Sequence, residues 1–311
     1  MKIIRRLSLL ALVVAAAGLV PGSAAGARPF ARSSVPIVAL PIPVGSELLG
    51  GDGRHLLYQT PGSPSTEART FVPGTRWFDL DLSTRKQVEV APPGPGCGIE
   101  AGGPGGMVGR CPSPTGDPVS GVELFQSALP FSAWTPFTLS PGVTSNVQSF
   151  RIRTVGTQWL LVDVVGFRTS DRFYASRHDE RVVAQAGVQD MNSAGLAVSP
   201  CKPLATKGLN AYAKPWGLYG VSTLSAQRCG DKHRRVLAKR IDPQVAPTLH
   251  AGRATWSYGG VGYVQDLRAA KARAVRVPGA KIRLQQQGSH VLAQQNGSAY
   301  TSGYVGIVRL P

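Results

Sequence analysis

The chain has 311 residues, of which 42% are hydrophobic, 7% aromatic and 16% charged, with a formal net charge of +17. That composition is too apolar for a disordered chain, and the length is sufficient to bury a sizeable core. Its 37 glycines and 25 prolines follow no Gly-X-Y period, which excludes collagen and favours many short elements joined by turns over a helical bundle.

Residues 1–27 read as an export signal. Lys2, Arg5 and Arg6 form a positive n-region, Leu7 to Val20 is an uncharged and mostly apolar run, and Ala25-Gly26-Ala27 gives a small-x-small cleavage pattern before Arg28. The apolar run is short against the ~20 residues a membrane span needs, so cleavage is expected rather than anchoring. No Cys follows it to carry a lipid. The mature chain, 28–311, is expected to be secreted, to form a single domain and to have no stable membrane insertion.

"VPIVALPIP" (35–43) is the first strand candidate, and its prolines suit an edge. Six segments then share a pattern of small or polar residues with Gly, followed by a short apolar strand. They are "GGDGRHLLYQ" (50–59), "GGPGGMVGRC" (102–111), "TVGTQWLLVDV" (154–164), "NSAGLAVSPC" (192–201), "LHAGRATWSY" (249–258) and "QQGSHVLAQQ" (286–295). The anchor glycines Gly53, Gly106, Gly156, Gly195, Gly252 and Gly288 recur about every 47 residues. Between them lie further β-branched or aromatic runs such as "RWFDLDL", "KQVEV", "DRFYASRH", "RRVLAK" and "ARAVRV".

About four strands per 40–50 residues, repeated, describe the blade of a β-propeller. A lone blade has two apolar faces and buries both only by stacking on neighbours around a ring. The last unit gives three strands, "KIRLQQQ", "HVLAQQ" and "YVGIVRL", and the N-terminal "VPIVALPIP" would supply the fourth. The expected fold is therefore all-β, a six-bladed β-propeller whose last blade is closed by the N-terminal strand. A β-sandwich, or two smaller all-β domains, is the alternative. The run "LRAAKARAVR" (267–276) is read as a connector, because strand-like alternation flanks it.

The stretch "GGDGRHLLYQ … RWFDLDLSTRKQVEV" resembles a TolB-like propeller repeat, in which an Asp-Gly turn leads into an apolar strand and a later strand ends in an Asp-x-x-Thr/Ser turn. Asp52-Gly53 and Asp81-Leu82-Ser83-Thr84 match that pattern. The other five units keep the Gly and the strand but lack the Asp. The resemblance implies the fold; propellers host enzymes and binding proteins alike.

Cys97, Cys111, Cys201 and Cys229 form two local pairs, and in an exported chain disulfides Cys97–Cys111 and Cys201–Cys229 are expected. No Cys-x-x-Cys occurs, so zinc is not expected. Nucleophile-elbow, zincin, P-loop and calcium-loop motifs are all missing, and neither a cofactor nor a catalytic residue is nominated. His55, His250 and His290 each sit close to an anchor glycine, a shared position consistent with one rim of a ring. His178, Asp179 and Glu180 would be solvated in a turn or would point to opposite faces of a strand. Of the five tryptophans most are expected between blades; Trp216 and Tyr219 in "KPWGLYG" read instead as aromatics exposed on a loop.

Arginines number 25 against 9 lysines, a bias that high-GC coding produces without any ligand. Even so, Arg228 to Arg283 holds thirteen Lys or Arg against Asp231, Asp242 and Asp266. Arg234, Arg235, Lys239 and Arg240 lie at one end of this tract, and Arg268, Lys271, Arg273 and Arg276 at the other. If neighbouring blades carry them, the two clusters would face one groove and attract polyanions; a merely solvated basic face is the plainer reading. The expected role is a non-catalytic binding module for an anionic envelope polymer or a protein, with no nucleic-acid partner. The alternative is a propeller hydrolase or lyase with its site at the central channel.

Overall fold

The computed structural model describes residues 35–62, 74–112, 122–139, 147–166, 170–178, 182–184, 209–213, 215–220, 222–242, 245, 247–269, 272–279, 281–295 and 303–310. Residues 1–27, Gly195, Cys201, Lys214 and Lys271 lie outside them, as do Asp179 and Glu180. The described residues form strands and turns with no helix, and so none long and apolar enough to cross a membrane.

A short strand, β1 (Ile37–Ala39), precedes a succession of antiparallel meanders. The first sheet holds β2 (Glu47–Gly51), β3 (His55–Gln59), β4 (Trp77–Asp81) and β5 (Gln87–Val90). The second holds β6 (Gly98–Gly103), β7 (Gly106–Cys111), β8 (Glu123–Ser127) and β9 (Thr135–Phe137). The third holds β10 (Val147–Val155), β11 (Trp159–Gly166), β12 (Ser170–Ser176) and β13 (Val182–Ala184). The fourth holds β14 (Leu209–Ala213), β15 (Trp216–Tyr219), β16 (Leu224–Arg228) and β17 (Arg235–Ala238). The fifth holds β18 (Thr248–His250), β19 (Arg253–Tyr258), β20 (Val261–Asp266) and β21 (Val275–Val277). The sixth runs β22 (Ile282–Gln287), β23 (His290–Gln295), β24 (Tyr304–Val308), and β1 pairs with β24 on its outer edge, Ile37 opposite Val308.

Apolar residues of adjoining sheets pack together, as the two-faced blade argument requires. Leu57 and Trp77 of the first sheet meet Ile99 and Met107 of the second, and Val108 and Leu124 meet Phe150 and Ile152 of the third. Leu218 and Leu224 of the fourth meet Ala254 and Trp256 of the fifth, whose Val264 and Val277 meet Ile282 and Leu284 of the sixth. Leu292, Val305 and Ile307 of the sixth then meet Leu56, Tyr58 and Leu80 of the first. The first strands β2, β6, β10, β18 and β22, each paired on one side only, line a common cavity. Sheets set edge-on around an axis in this way make a β-propeller.

The anchor glycines Gly53, Gly106, Gly252 and Gly288 sit where this arrangement crowds. Gly53 and Gly288 have φ of +99° and +54°, and a β-carbon on Gly288 would lie 2.5 Å from the Cα of Gly53. Turn chemistry explains the Asp residues. The Asp52 carboxylate accepts from the backbone N–H groups of Arg54 and His55 at 2.8 and 2.6 Å, and Asp81 Oδ1 accepts from those of Ser83 and Thr84 at 2.8 and 3.0 Å.

The structure shifts the sequence units by one strand. The Gly-led segments at Gly53, Gly106, Gly156, Gly252 and Gly288 are each the second strand of their sheet, and the innermost strand precedes the glycine. In the fourth sheet the second strand is Trp216–Tyr219, whose Trp216 pairs with Ala213 of β14, and the segment anchored on Gly195 lies outside the described residues. Cys97 and Cys111 are disulfide-bonded, tying the open ends of the β6–β7 hairpin. Cys229 is also disulfide-bonded; Cys201, its expected partner, lies outside the described residues.

Candidate functional site

The axial cavity, of about 490 Å³, lies toward the end of the inner strands where they turn into the second strands. Asp52, Thr154, Arg153, Thr248, His250 and Gln285 to Gln287 line it, together with the glycine-rich segments 50–51 and 102–103. Its charged groups are already held. Asp52 caps its own turn, and Arg153 Nε donates to Asp163 Oδ2 at 2.6 Å. Burial first, and then the Arg253 guanidinium, pulls the His250 imidazole below its usual pKa, which favours the neutral ring. Gln286 differs: its side-chain oxygen and nitrogen are both buried and have no hydrogen-bond partner.

Two ion pairs lie further from the turns than the cavity does. Arg151 of the third sheet reaches Glu47 of the first at 2.7 Å, spanning past the second sheet. Glu100 of the second sheet pairs with Arg110 at 2.8 Å and accepts from the Ile152 N–H at 2.6 Å. Burial nevertheless holds the Glu100 pKa above its usual value. These acids come from two sheets, but each is engaged by an arginine, and among the described residues no group of His, Cys, Asp and Glu is arranged to hold a metal.

The three histidines near the anchor glycines do share one rim, and two serve the scaffold there. His55 Nδ1 lies 3.0 Å from Asp79 Oδ1, and His290 Nδ1 lies 2.9 Å from the Gly53 carbonyl oxygen, linking sixth and first sheets. Arg177, which sequence reasoning missed, donates to the carbonyls of Gly105 and Gly156 and to Gln126, bracketing the second and third sheets at the same rim.

The basic tract divides. Strand pairing places Trp216 opposite Arg228 and Arg253 opposite Asp266, so the turns after β16 and β20 emerge at the cavity's rim. Arg234 and Arg273 are exposed there, Arg235 is half-buried, and Arg268 keeps 61% of its side chain in solvent while pairing with Asp266. Gly252 joins the two sheets: a β-carbon on it would lie 2.8 Å from Arg268 Cγ and 3.6 Å from Trp216 Nε1. Lys239 and Arg240 lie at the opposite end of β17, where Arg240 donates to the Tyr258 hydroxyl at 3.3 Å, so they do not share that surface. Arg276 is exposed within β21. Tyr219 corrects the loop reading. It ends a strand, is 1% exposed, and lies beneath the Arg234 guanidinium, 3.8 Å from its ring centroid. Trp216 opens that strand and is half-buried.

No family model matches this chain, and no curated protein matches it. Among solved structures it is similar to the calcium-binding protein regucalcin from Agrobacterium tumefaciens, at 10% identity and a TM-score of 0.39 over 89% of this chain and 94% of that one. It is also similar to the parainfluenza virus 5 hemagglutinin-neuraminidase, at 9% identity and a TM-score of 0.38 over 89% and 94%. A prolyl endopeptidase matches at 8% identity and a TM-score of 0.38, with 86% of this chain against 43% of that one. Likeness at this level carries nothing about activity, and the architecture rests on the chain's own sheets.

Proposed function

We propose that this chain is an exported, non-catalytic β-propeller of six blades, closed by β1, that binds an anionic polymer on the rim shared by its fourth and fifth sheets. The observation that carries the reading is the seating of Trp216 and Arg268 on Gly252, with Arg228, Arg234 and Arg273 exposed at the same ends of these strands. An indole beside guanidinium forks suits a chain of carboxylate- or phosphate-bearing units, because arginine pairs such groups in a planar, bidentate way. The engagement of Glu47, Glu100, Asp52 and Asp163 by arginines or backbone N–H groups supports recognition over acid–base chemistry at the axis. The disulfide Cys97–Cys111 suits an oxidising compartment.

The test compares two double variants that remove the same charge from opposite rims. Arg234→Gln with Arg268→Gln should elute from heparin at clearly lower salt than the parent, and Lys239→Gln with Arg240→Gln close to it. Equal shifts for both pairs would show diffuse attraction and refute a localised site.

A further inference from the structure

The basic rim carries an acid in direct contact with one of its arginines. β20 ends at Asp266, and the Leu267 N–H donates to the Gly252 carbonyl at 2.7 Å, fixing this turn against the first turn of the same sheet. Arg268 then folds back on Asp266. Its backbone N–H donates to Asp266 Oδ1 at 2.9 Å, Nε donates to Oδ1 at 2.9 Å and to Oδ2 at 3.2 Å, and Nη2 donates to Oδ2 at 2.6 Å. One carboxylate thus covers the Nε–Nη2 edge of the guanidinium, an edge with which arginine grips oxyanions in bidentate fashion. The stem crosses Gly252, whose missing β-carbon leaves room for Cγ. Both groups stay wet, with 61% of the Arg268 side chain and 36% of the Asp266 side chain in solvent.

Resting on the reading of this rim as a polyanion site, we infer that Asp266 is a tethered competitor of the ligand: it occupies Arg268 in the unbound protein and so sets how tightly the rim binds. An anionic group of the polymer reaches the covered edge of Arg268 only by displacing Asp266, and takes the other edge only beside a like charge. Displacement is feasible because an ion pair this exposed to water is weak. It is not free, because the competitor sits two residues away on the same chain and never dilutes. Arg253 stands opposite Asp266 in the ladder and its charge already acts on that carboxylate, so a displaced Asp266 keeps a cation nearby. The hydrogen bonds from Arg268 pull the Asp266 pKa down to about 2, so the competitor stays anionic at neutral and mildly acidic pH.

The experiment measures heparin affinity at one fixed salt concentration for the parent protein, Asp266→Asn, Arg268→Gln and the variant carrying both. Asp231→Asn, which removes one negative charge from the turn after β16 at the same rim, is the control for net charge. Asp266→Asn should bind heparin about two- to fivefold more tightly than the parent, and Asp231→Asn should gain less. In the Arg268→Gln background the extra gain from Asp266→Asn should vanish, so that the two substitutions do not add. The same gain with and without Arg268, or equal gains at Asp266 and Asp231, would leave net charge as the whole effect and overturn the inference. Weaker binding by Asp266→Asn would overturn it too, by making Asp266 a support that orients Arg268. Asparagine keeps the oxygen that accepts the Arg268 N–H, so the turn should persist, and Asp266→Ser serves if the asparagine variant does not fold. The basic-rim reading fails by a different result, equal shifts for the Arg234–Arg268 and Lys239–Arg240 double variants, so the two failures are told apart.

Discussion

Replacing Gly288 by alanine tests whether the sixth sheet seats on the first. Two costs are expected, and a second glycine separates them. Gly288 and Gly259 have nearly the same backbone, φ +54° and +59°, so alanine at either meets the same left-handed penalty of ~1–2 kcal/mol. Around Gly259 nothing lies within 4 Å of the added β-carbon, whereas at Gly288 it would fall 2.5 Å from the Cα of Gly53. Backbone cannot yield as a side-chain tip does, and the hydrogen bond from His290 to the Gly53 carbonyl holds the two turns together. Overpacking of that kind adds ~1–3 kcal/mol. At ~2–4 °C per kcal/mol for a domain of this order of size, Gly288→Ala should melt roughly 2–12 °C below Gly259→Ala. Scanning calorimetry of the two variants side by side reads that difference directly. Equal losses would mean that the turns do not meet, and the junction between last and first sheets would have to be abandoned.

Two further outcomes follow from local chemistry. Exchanging both Cys97 and Cys111 for serine opens a loop spanning 14 positions and should lower stability by about 3 kcal/mol, read as a fall in melting temperature; an unchanged value would show the bond to be idle. Asp81 is held well below the usual carboxylate range by the Ser83 hydroxyl and the Thr84 N–H, and Asp266 is pulled down to about 2 by Arg268. Both therefore contribute stability that is present above their unfolded pKa of about 3.8 and is lost as pH falls through the folded values. Asp81→Asn keeps the acceptor of the turn but removes the titration, so its melting temperature should fall less steeply between about pH 4 and pH 2 than the parent's. Parallel acid limbs would refute the assignment.

Strands were legible in this sequence wherever turn chemistry marked their ends. Asp52 and Asp81 announce their turns because their carboxylates accept the next backbone N–H groups, and this is the physical content of the paired Asp-turn pattern in the first sheet. The innermost strands were poorly legible because they do not alternate. β2, β6, β10 and β14 each carry a register shift, and both faces of the inner strands are crowded by neighbouring sheets. The second strand of the fourth sheet, Trp216–Tyr219, was not read as such for a related reason: no glycine stands between Ala213 and Trp216 to mark its start. Tyr219 was read as exposed because Pro215, Gly217 and Gly220 imitate a loop. Ladder pairing with Ser225, and the Arg234 guanidinium over its ring, bury it instead.

The site was harder to read than the fold because charge density along a chain is a poor guide to charge in space on this architecture. A strand advances ~3.3 Å per residue, so Arg235 and Lys239, four positions apart, lie about 13 Å from one another and belong to opposite ends of β17. Trp216, Gly252 and Arg268 are each tens of residues or a full hairpin apart in sequence, yet they meet because hairpins of neighbouring sheets turn at one rim. The same geometry makes a pocket from Gln285 to Gln287, which in sequence are only the polar end of a strand. Edge-on assembly around an axis leaves one side of every inner strand unpaired and aims those sides at each other. Recognition surfaces in such a chain are therefore set by strand direction and by which turns share a rim. The glycines that let the turns approach matter to the site as much as the side chains that would touch a ligand.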